Sequence, residues 1–299
     1  MWSFRVVVGC LVVCLLAVFQ LQAQNATCTN WQTFVLNPAD LNNPSEESDG
    51  VNDNHTVVGR AFYNFNKPNF KGFVHYSNGK ITYWLPSNAK YSWLTDRNIL
   101  GNTVGGYVDT LGILHAAYLH GSTTSLIVHP KAVYHSTRVV GINNLNTLLG
   151  TYSDINHNQH IFKRRSDGSF LAVPNFPGAV ETDPSAFNDN GVVVGGYTNP
   201  GDCCGIVHGF IYRNGSFAPL NYRKTVNTNT EVYGISNNGV IVGDHYGNGF
   251  LYANGVFKDI VGPNGQQVTV RNISAGGIIT GDTSVPGSVG PHGFTATCQ

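Results

Sequence analysis

The sequence repeats one unit six times along most of its length. Residues 234–243 (GISNNGVIVG) closely match 186–195 (AFNDNGVVVG) and 141–150 (GINNLNTLLG). The same ten-residue frame fits 50–59 and, more loosely, 96–105 and 272–281. The glycines that close the frame fall at 59, 105, 150, 195, 243 and 281, so the spacings are 46, 45, 45, 48 and 38 residues. Periods of this length are typical of propeller blades and β solenoids.

Each copy continues in the same order after the frame. Residues 208–212 (HGFIY) form an aromatic segment, Asn214-Gly215 follows, and 216–220 (SFAPL) is a second short apolar segment. The Asn-Gly step favours a type I′ hairpin, because both of its central residues need positive φ. One unit is therefore four short antiparallel strands, a to d. Six such units predict an all-β fold, a six-bladed β-propeller of four-stranded antiparallel blades.

The two ends of the chain complement each other. The last copy stops after strand c, at residues 292–298, and residues 31–36 (WQTFVL) have the form of the missing strand d. An open solenoid explains the repeats equally well but not these matching ends. We therefore expect the N-terminal strand to complete the sixth blade and close the ring. Cys28 precedes this strand and Cys298 follows its partner, which predicts a disulfide between them.

The first 23 residues have the composition of a signal peptide. Arg5 precedes an apolar run that ends at Phe19, and cleavage is expected near Ala23. An uncleaved anchor is the alternative, but the run is shorter than the roughly 20 residues that span a bilayer. The sequence thus predicts a signal peptide at 1–23, one propeller domain at 24–299, a secreted protein and no membrane association after cleavage.

Four cysteines remain after that cleavage, and an exported protein can oxidise them. With Cys28 paired to Cys298, the adjacent Cys203 and Cys204 would bridge each other in the inserted loop 199–205. A zinc site is the rival interpretation, although no pair has the spacing of a zinc knuckle. We expect no metal and no cofactor.

The charge balance and the motifs argue against several classes of function. The chain carries 17 basic and 17 acidic residues, and only 11% of residues are charged, so it lacks the basic surface of a nucleic-acid binder. It contains no phosphate-binding loop, dinucleotide fingerprint, Gly-x-Ser-x-Gly elbow or His-Glu-x-x-His helix. Four histidines share one repeat position, which indicates packing or hydrogen bonding before metal binding: His115, His160, His208 and His292. We expect a monomer.

The frame GINxxGxVVGxY followed by HGFxYxxGxF resembles the HAF-type extracellular repeat of secreted bacterial proteins. The resemblance covers about residues 31–298 and is best in copies three to five, whereas 96–99 (DRNI) and 271–274 (RNIS) depart from it. It implies secretion and repeated β-structure. No catalytic residue carries over, since the resemblance implies no common activity.

A column of residues at the entrance to strand a suggests a site. The position three residues before the frame is charged in four of six copies: Glu47, Trp93, Arg138, Asp183, Glu231 and Thr269. The position two residues later is occupied by Asp49, Thr95, Val140, Ser185, Tyr233 and Arg271. In a propeller these positions would surround the channel mouth on the face of the d–a and b–c loops. The alternative is that these residues form a polar rim around the channel mouth that serves only solubility.

Acids and aromatic rings at one mouth suit an extracellular carbohydrate partner. Glu47, Asp183 and Glu231 are the candidate catalytic acids. Arg138 suits an anionic sugar such as a uronate, and a lyase would use His135 or Tyr233 as its base. The loops of this face add further candidate contacts: Tyr222, Arg223, His245 and Tyr246. The sequence predicts a propeller that binds or cleaves extracellular polysaccharide, and the alternative is a non-catalytic scaffold or protein-interaction propeller.

Overall fold

A computed structural model describes residues 25–36, 45–64, 69–202, 205–222, 229–284 and 291–298. The expected signal peptide, Cys203, Cys204 and Arg223 lie outside these residues. The described residues form β-strands and a short 3₁₀ turn at Pro263–Gly265. No helix in this part of the chain is long and apolar enough to cross a bilayer.

The strands form six separate four-stranded antiparallel sheets, which confirms the predicted six-bladed propeller. Blade 1 contains β2 (Ser45–Val51), β3 (Val57–Asn64), β4 (Asn69–His75) and β5 (Ile81–Trp84), and blade 2 contains β6 (Ala89–Arg97), β7 (Thr103–Asp109), β8 (Leu114–His120) and β9 (Thr123–Ile127). Blade 3 contains β10 (Arg138–Ile142), β11 (Leu148–Ser153), β12 (Gln159–Arg164) and β13 (Phe170–Val173), and blade 4 contains β14 (Glu181–Phe187), β15 (Val193–Thr198), β16 (His208–Arg213) and β17 (Ser216–Leu220). Blade 5 contains β18 (Glu231–Ile235), β19 (Ile241–His245), β20 (Asn248–Ala253) and β21 (Val256–Asp259), and blade 6 contains β22 (Val268–Ile273), β23 (Ile278–Ser284), β24 (Pro291–Cys298) and the N-terminal β1 (Cys28–Phe34).

The ring closes as the two chain ends predict. β1 pairs antiparallel with β24 as the fourth strand of blade 6. Cys28 lies opposite Cys298 in this register, and the two form the predicted disulfide. The strand begins at Cys28 and ends at Phe34, earlier than the predicted 31–36, because the residues around the disulfide already pair with β24.

Strand a of each blade lies nearest the ring axis. The first strands of neighbouring blades contact one another in a closed cycle, β2, β6, β10, β14, β18, β22 and again β2. The loops that enter strand a and the turns that leave it therefore open at opposite ends of one central channel.

The glycine that closes each frame lies where strands a and b approach most closely. An added Cβ at Gly59 would lie 1.9 Å from the Glu47 carbonyl oxygen, and one at Gly243 would lie 2.1 Å from that of Glu231. At each of the other four closing glycines, an added Cβ would lie 1.9–2.2 Å from the equivalent strand-a carbonyl oxygen of the same blade. No side chain fits there, which explains why the sequence repeats glycine at this position.

The Asn-rich turns between strands a and b join the blades at the other end of the channel. In four copies the turn residue donates its side-chain amide to a backbone carbonyl of the next blade. The bonds run from Asn52 to Asn98 (3.0 Å), Asn98 to Asn143 (3.0 Å), Asn143 to Asn188 (3.5 Å) and Asn188 to Ser236 (3.0 Å). Across the final seam, the Gly276 amide donates to Asp53 Oδ1 at 2.7 Å.

Candidate functional site

Every strand a contains a β-bulge at the same repeat position. The pairing register between strands a and b skips one residue in each blade, and the skipped residues are Asp49, Thr95, Val140, Ser185, Tyr233 and Arg271. A bulge redirects the side chain of the extra residue. All six line one cavity of about 280 Å³ together with Arg60, Trp93 and Asn272. We call this cavity the channel mouth.

Blades 1 and 6 supply ion pairs to the channel mouth. Arg60, on β3, pairs with Glu47 and lies 3.7 Å from the Asp49 carboxylate. In blade 6, Arg271 Nε donates to Asp282 Oδ2 at 2.5 Å. Burial raises the pKa of Asp49 to about 7, although the charges of Arg60 and Arg271 oppose this shift. The Asp49 carboxyl is therefore able to hold or release a proton near neutral pH.

Blade 5 adds a hydrogen-bonded carboxylate. Glu231 accepts a hydrogen bond from Asn229 Nδ2 at 2.7 Å and another from the Tyr233 hydroxyl. Burial, followed by the bond to Glu231, raises the pKa of Tyr233, so its phenol stays protonated. Asp244 lies opposite Glu231 in the register, and burial and the Glu231 charge raise its pKa.

Blades 2 to 4 give the mouth an uncharged side. The Trp93 ring packs over Gly106, where an added Cβ would lie 2.7 Å from it, so a glycine in strand b makes room for the indole. Thr95, Val140 and Ser185 complete this side. The channel mouth therefore has one ionic half and one aromatic and weakly polar half.

The structure brings some of the predicted site residues together. Trp93 and Tyr233 line the channel mouth, and Glu47 and Glu231 bond to residues that line it. Asp183 instead accepts a hydrogen bond from Gln159 Nε2 of blade 3 at 2.6 Å. Arg138 and His135 line a different cavity, between blades 2 and 3.

Tyr222 and His245 form a packing pair. The two rings stack at 3.7 Å, Tyr222 is only 2% exposed, and its hydroxyl donates to Asp259 Oδ1 at 2.6 Å. The same stack at 3.7 Å joins other neighbouring blades, between His129 and Tyr152 and between Phe176 and Tyr197. Tyr222 is thus one member of a repeated seam between blades. Tyr246 is 64% exposed on the loop face.

Three of the four repeated histidines contact carboxylates within their own blades. His115 Nε2 lies 2.9 Å from Asp109, and His160 Nε2 lies 2.8 Å from Asp154. His208 and Asp202 make the third such pair, at 3.2 Å. These contacts agree with the predicted hydrogen-bonding role at three positions, whereas Nε2 of His292 is buried with no hydrogen-bond partner among the described residues. In the described ranges, no three His, Cys, Asp or Glu side chains are grouped so that they could hold a metal ion.

Sequence reasoning missed the strand-b partners of the predicted column. The residue after each closing glycine lies opposite that column: Arg60, Gly106, Thr151, Gly196, Asp244 and Asp282. Aligning the six copies one residue past the frame would have revealed a position with one arginine and two aspartates.

No protein-family model and no functionally curated protein matches the chain. Solved structures do resemble it. A gluconolactonase from Xanthomonas campestris is 10% identical, with a TM-score of 0.52 over 93% of this chain and 99% of that chain. AofleA from Arthrobotrys oligospora is 9% identical, with a TM-score of 0.51 over 91% and 88% of the two chains. At such identities the likeness shows the propeller fold alone.

Proposed function

We propose that this protein is a secreted propeller that binds extracellular polysaccharide at the channel mouth. One observation carries the proposal: six bulges direct six different side chains into a single cavity, with an aromatic ring on one side and fixed ionic groups on the other. A binding site for a sugar needs an aromatic face and a few oriented polar groups. The cavity, at about 280 Å³, is close to the lower end of the range for ligand pockets.

The polar groups of the mouth are already oriented before a ligand arrives. Arg60 and Arg271 are each held by a carboxylate, and the Tyr233 hydroxyl is held by Glu231. Groups fixed in this way lose little rotational freedom on binding, which lowers the cost of association.

The same pairings favour binding over cleavage. Glu47 is in an ion pair, and Asp183 and Glu231 each accept hydrogen bonds from neighbouring side chains. Asp183 bonds away from the mouth, toward blade 3. Catalysis of glycoside hydrolysis needs two carboxyl groups that face one glycosidic bond. Cleavage by these three acids therefore stays a sequence-based prediction, tested by the assay below.

Secretion belongs to the same proposal. The Cys28–Cys298 disulfide suits an oxidising compartment. The apolar run before Ala23 and the resemblance to HAF-type extracellular repeats support export.

The proposal is tested with a panel of neutral and acidic polysaccharides, measured by affinity electrophoresis and by tryptophan fluorescence. We expect at least one polymer to slow the electrophoretic migration of wild type, and we expect Trp93→Ala to lose that binding. Trp84→Ala is the matched control, because Trp84 lies on the outer strand β5, where it meets Tyr107 edge-on at 6.0 Å. It should bind like wild type. Reducing-end and unsaturated-product assays on the same samples test cleavage.

Absence of binding across the panel, or equal loss in the two tryptophan variants, would remove the channel mouth as a carbohydrate site. The scaffold or protein-interaction function would then take its place.

A further inference from the structure

A second cavity opens on the loop face between blades 2 and 3. Its volume is about 490 Å³, inside the range of small-molecule sites, and we call it the blade 2–3 groove. Its lining includes Tyr134, His135, Arg138, Tyr152 and Gln159. The groove is adjacent to the channel mouth, since Arg138 and Val140 lie two residues apart on β10, which is about 7 Å along a strand.

The described residues that line the groove include one arginine and no carboxylate. Arg138 is exposed, and no ion pair among the described residues involves it. Three carboxylates of blades 2 to 4 are hydrogen-bonded to other side chains: Asp183 to Gln159, Asp154 to His160, and Asp109 to His115. Arg138 is therefore available to bind an anion from solution, whereas Arg60 and Arg271 of the channel mouth are each paired with a carboxylate.

The loop that forms one wall is held in an unusual conformation. Tyr134 and His135 both have left-handed backbone angles, with φ of 52° and 55°, although neither is Gly or Asn. Hydrogen bonds fix this loop: the Ser136 hydroxyl donates to the Ser153 carbonyl at 3.2 Å, and the Val133 amide donates to the same carbonyl at 3.1 Å. Such conformations persist only where the surroundings enforce them, and they concentrate at functional sites.

This loop presents an aromatic surface. Tyr134 is 71% exposed and stacks on His157 at 5.3 Å with an interplanar angle of 4°. An exposed aromatic ring of this kind, fixed beside polar groups, suits the apolar face of a pyranose ring.

We propose that the blade 2–3 groove binds a uronic acid residue of the polysaccharide, with Arg138 gripping its carboxylate and Tyr134 supporting its ring. A planar guanidinium binds a carboxylate through two parallel hydrogen bonds, which gives orientation as well as affinity. The groove and the channel mouth then act as two subsites for one acidic chain. This inference rests on the proposed function, that the protein binds extracellular polysaccharide.

The experiment compares each acidic polymer with its uncharged, carboxyl-reduced form. Polygalacturonate and alginate are each used beside their carboxyl-reduced forms, and affinities are measured by titration calorimetry with Arg138→Ala, Arg213→Ala, Trp93→Ala and wild type. Arg213 is an exposed arginine at the end of β16, next to the c–d turn of blade 4, and serves as the charge-matched control. Dextran sulfate as competitor separates carboxylate recognition from attraction to any polyanion.

We expect wild type to bind an acidic polymer at least about 10-fold more tightly than its reduced form, and Arg138→Ala to abolish this preference. Binding of the reduced form should not change, and Arg213→Ala should behave as wild type. Dextran sulfate should compete weakly.

Other outcomes overturn one proposal or the other. Equal affinity of wild type for the acidic and reduced polymers, equal effects of the two arginine variants, or strong competition by dextran sulfate would refute the uronate subsite alone. Loss of binding in Arg138→Ala with no effect of Trp93→Ala would refute the channel mouth and keep the groove. Absence of binding to every polymer would refute both.

Discussion

Removal of the Cys28–Cys298 disulfide should destabilise the protein strongly through its unfolded state. The bond joins residues 270 positions apart, so it restrains almost the whole chain when the protein unfolds. The loop-entropy relation gives about 5–6 kcal/mol for a loop of this length, as an upper value. The folded ring should remain closed, because Trp31 still packs on Phe294 at 5.1 Å and β1 still pairs with β24.

Urea unfolding of Cys28→Ala/Cys298→Ala and wild type, followed by circular dichroism, measures this effect. We expect the double variant to lose several kcal/mol of unfolding free energy and to gain in m-value, since an unrestrained unfolded chain exposes more surface. Trp31→Ala is the contrasting variant: it weakens β1 in the folded state and should lower stability at constant m. A double variant that loses less than about 1 kcal/mol with unchanged m would refute this reasoning.

Three further predictions concern the repeat and one buried acid. Gly150→Ala should cost about 2–3 kcal/mol of stability, because its Cβ would lie 2.2 Å from a carbonyl oxygen of β10. Gly141→Ala is the control: the nearest atom to its Cβ would be 3.4 Å away, so its stability should stay within about 1 kcal/mol of wild type. Thermal unfolding compares the two variants. Asn98→Ala should cost about 2 kcal/mol or more in urea unfolding, since the buried amide loses bonds to the next blade. Burial raises the pKa of Glu46 from 4.5 to about 7, so the folded state keeps a proton there that the unfolded state releases. Stability should therefore fall as pH rises from 4.5 to 7, and Glu46→Gln should lose that part of the dependence; an identical pH profile in the variant would contradict it.

The architecture could be predicted because it depends on repetition alone. Six frames of similar spacing indicate six blades, and the incomplete last copy identifies the N-terminal strand as its complement. The Cys28–Cys298 bond follows from that pairing and not from any local signal around either cysteine. None of these conclusions depends on the orientation of a particular side chain.

The site was only partly predictable because a bulge changes which face a side chain occupies. Glu47 lies in the regular part of β2, paired with Arg60, whereas Asp49 is the bulged residue that lines the channel mouth. In a regular strand, positions two apart share one face, so the sequence alone cannot separate these two columns. Asp183 illustrates a second limit, since its partner Gln159 belongs to another blade and is 24 residues away.

Tyr222 shows how a loop residue misleads sequence reasoning. It follows strand d in a polar segment, which suggested contact with a ligand. Its ring instead fills the seam with His245, and its backbone amide donates to the Thr230 hydroxyl at 3.0 Å. The chemically varied partners of this seam, His with Tyr and Phe with Tyr, hid the repeat from a search for identical letters.

The hydrogen bonds donated by the asparagine side chains of the Asn-rich turns also affect how a propeller can gain blades during evolution. Each of these asparagines reaches a main-chain oxygen of the following blade, and a main-chain oxygen is present whatever residue carries it. A duplicated blade inserted between blades 2 and 3 would therefore find an acceptor on one side and supply one on the other. Gene duplication can lengthen such a chain without inventing a new junction. The number of blades is then constrained by the geometry of the ring and by the junction where the two chain ends meet.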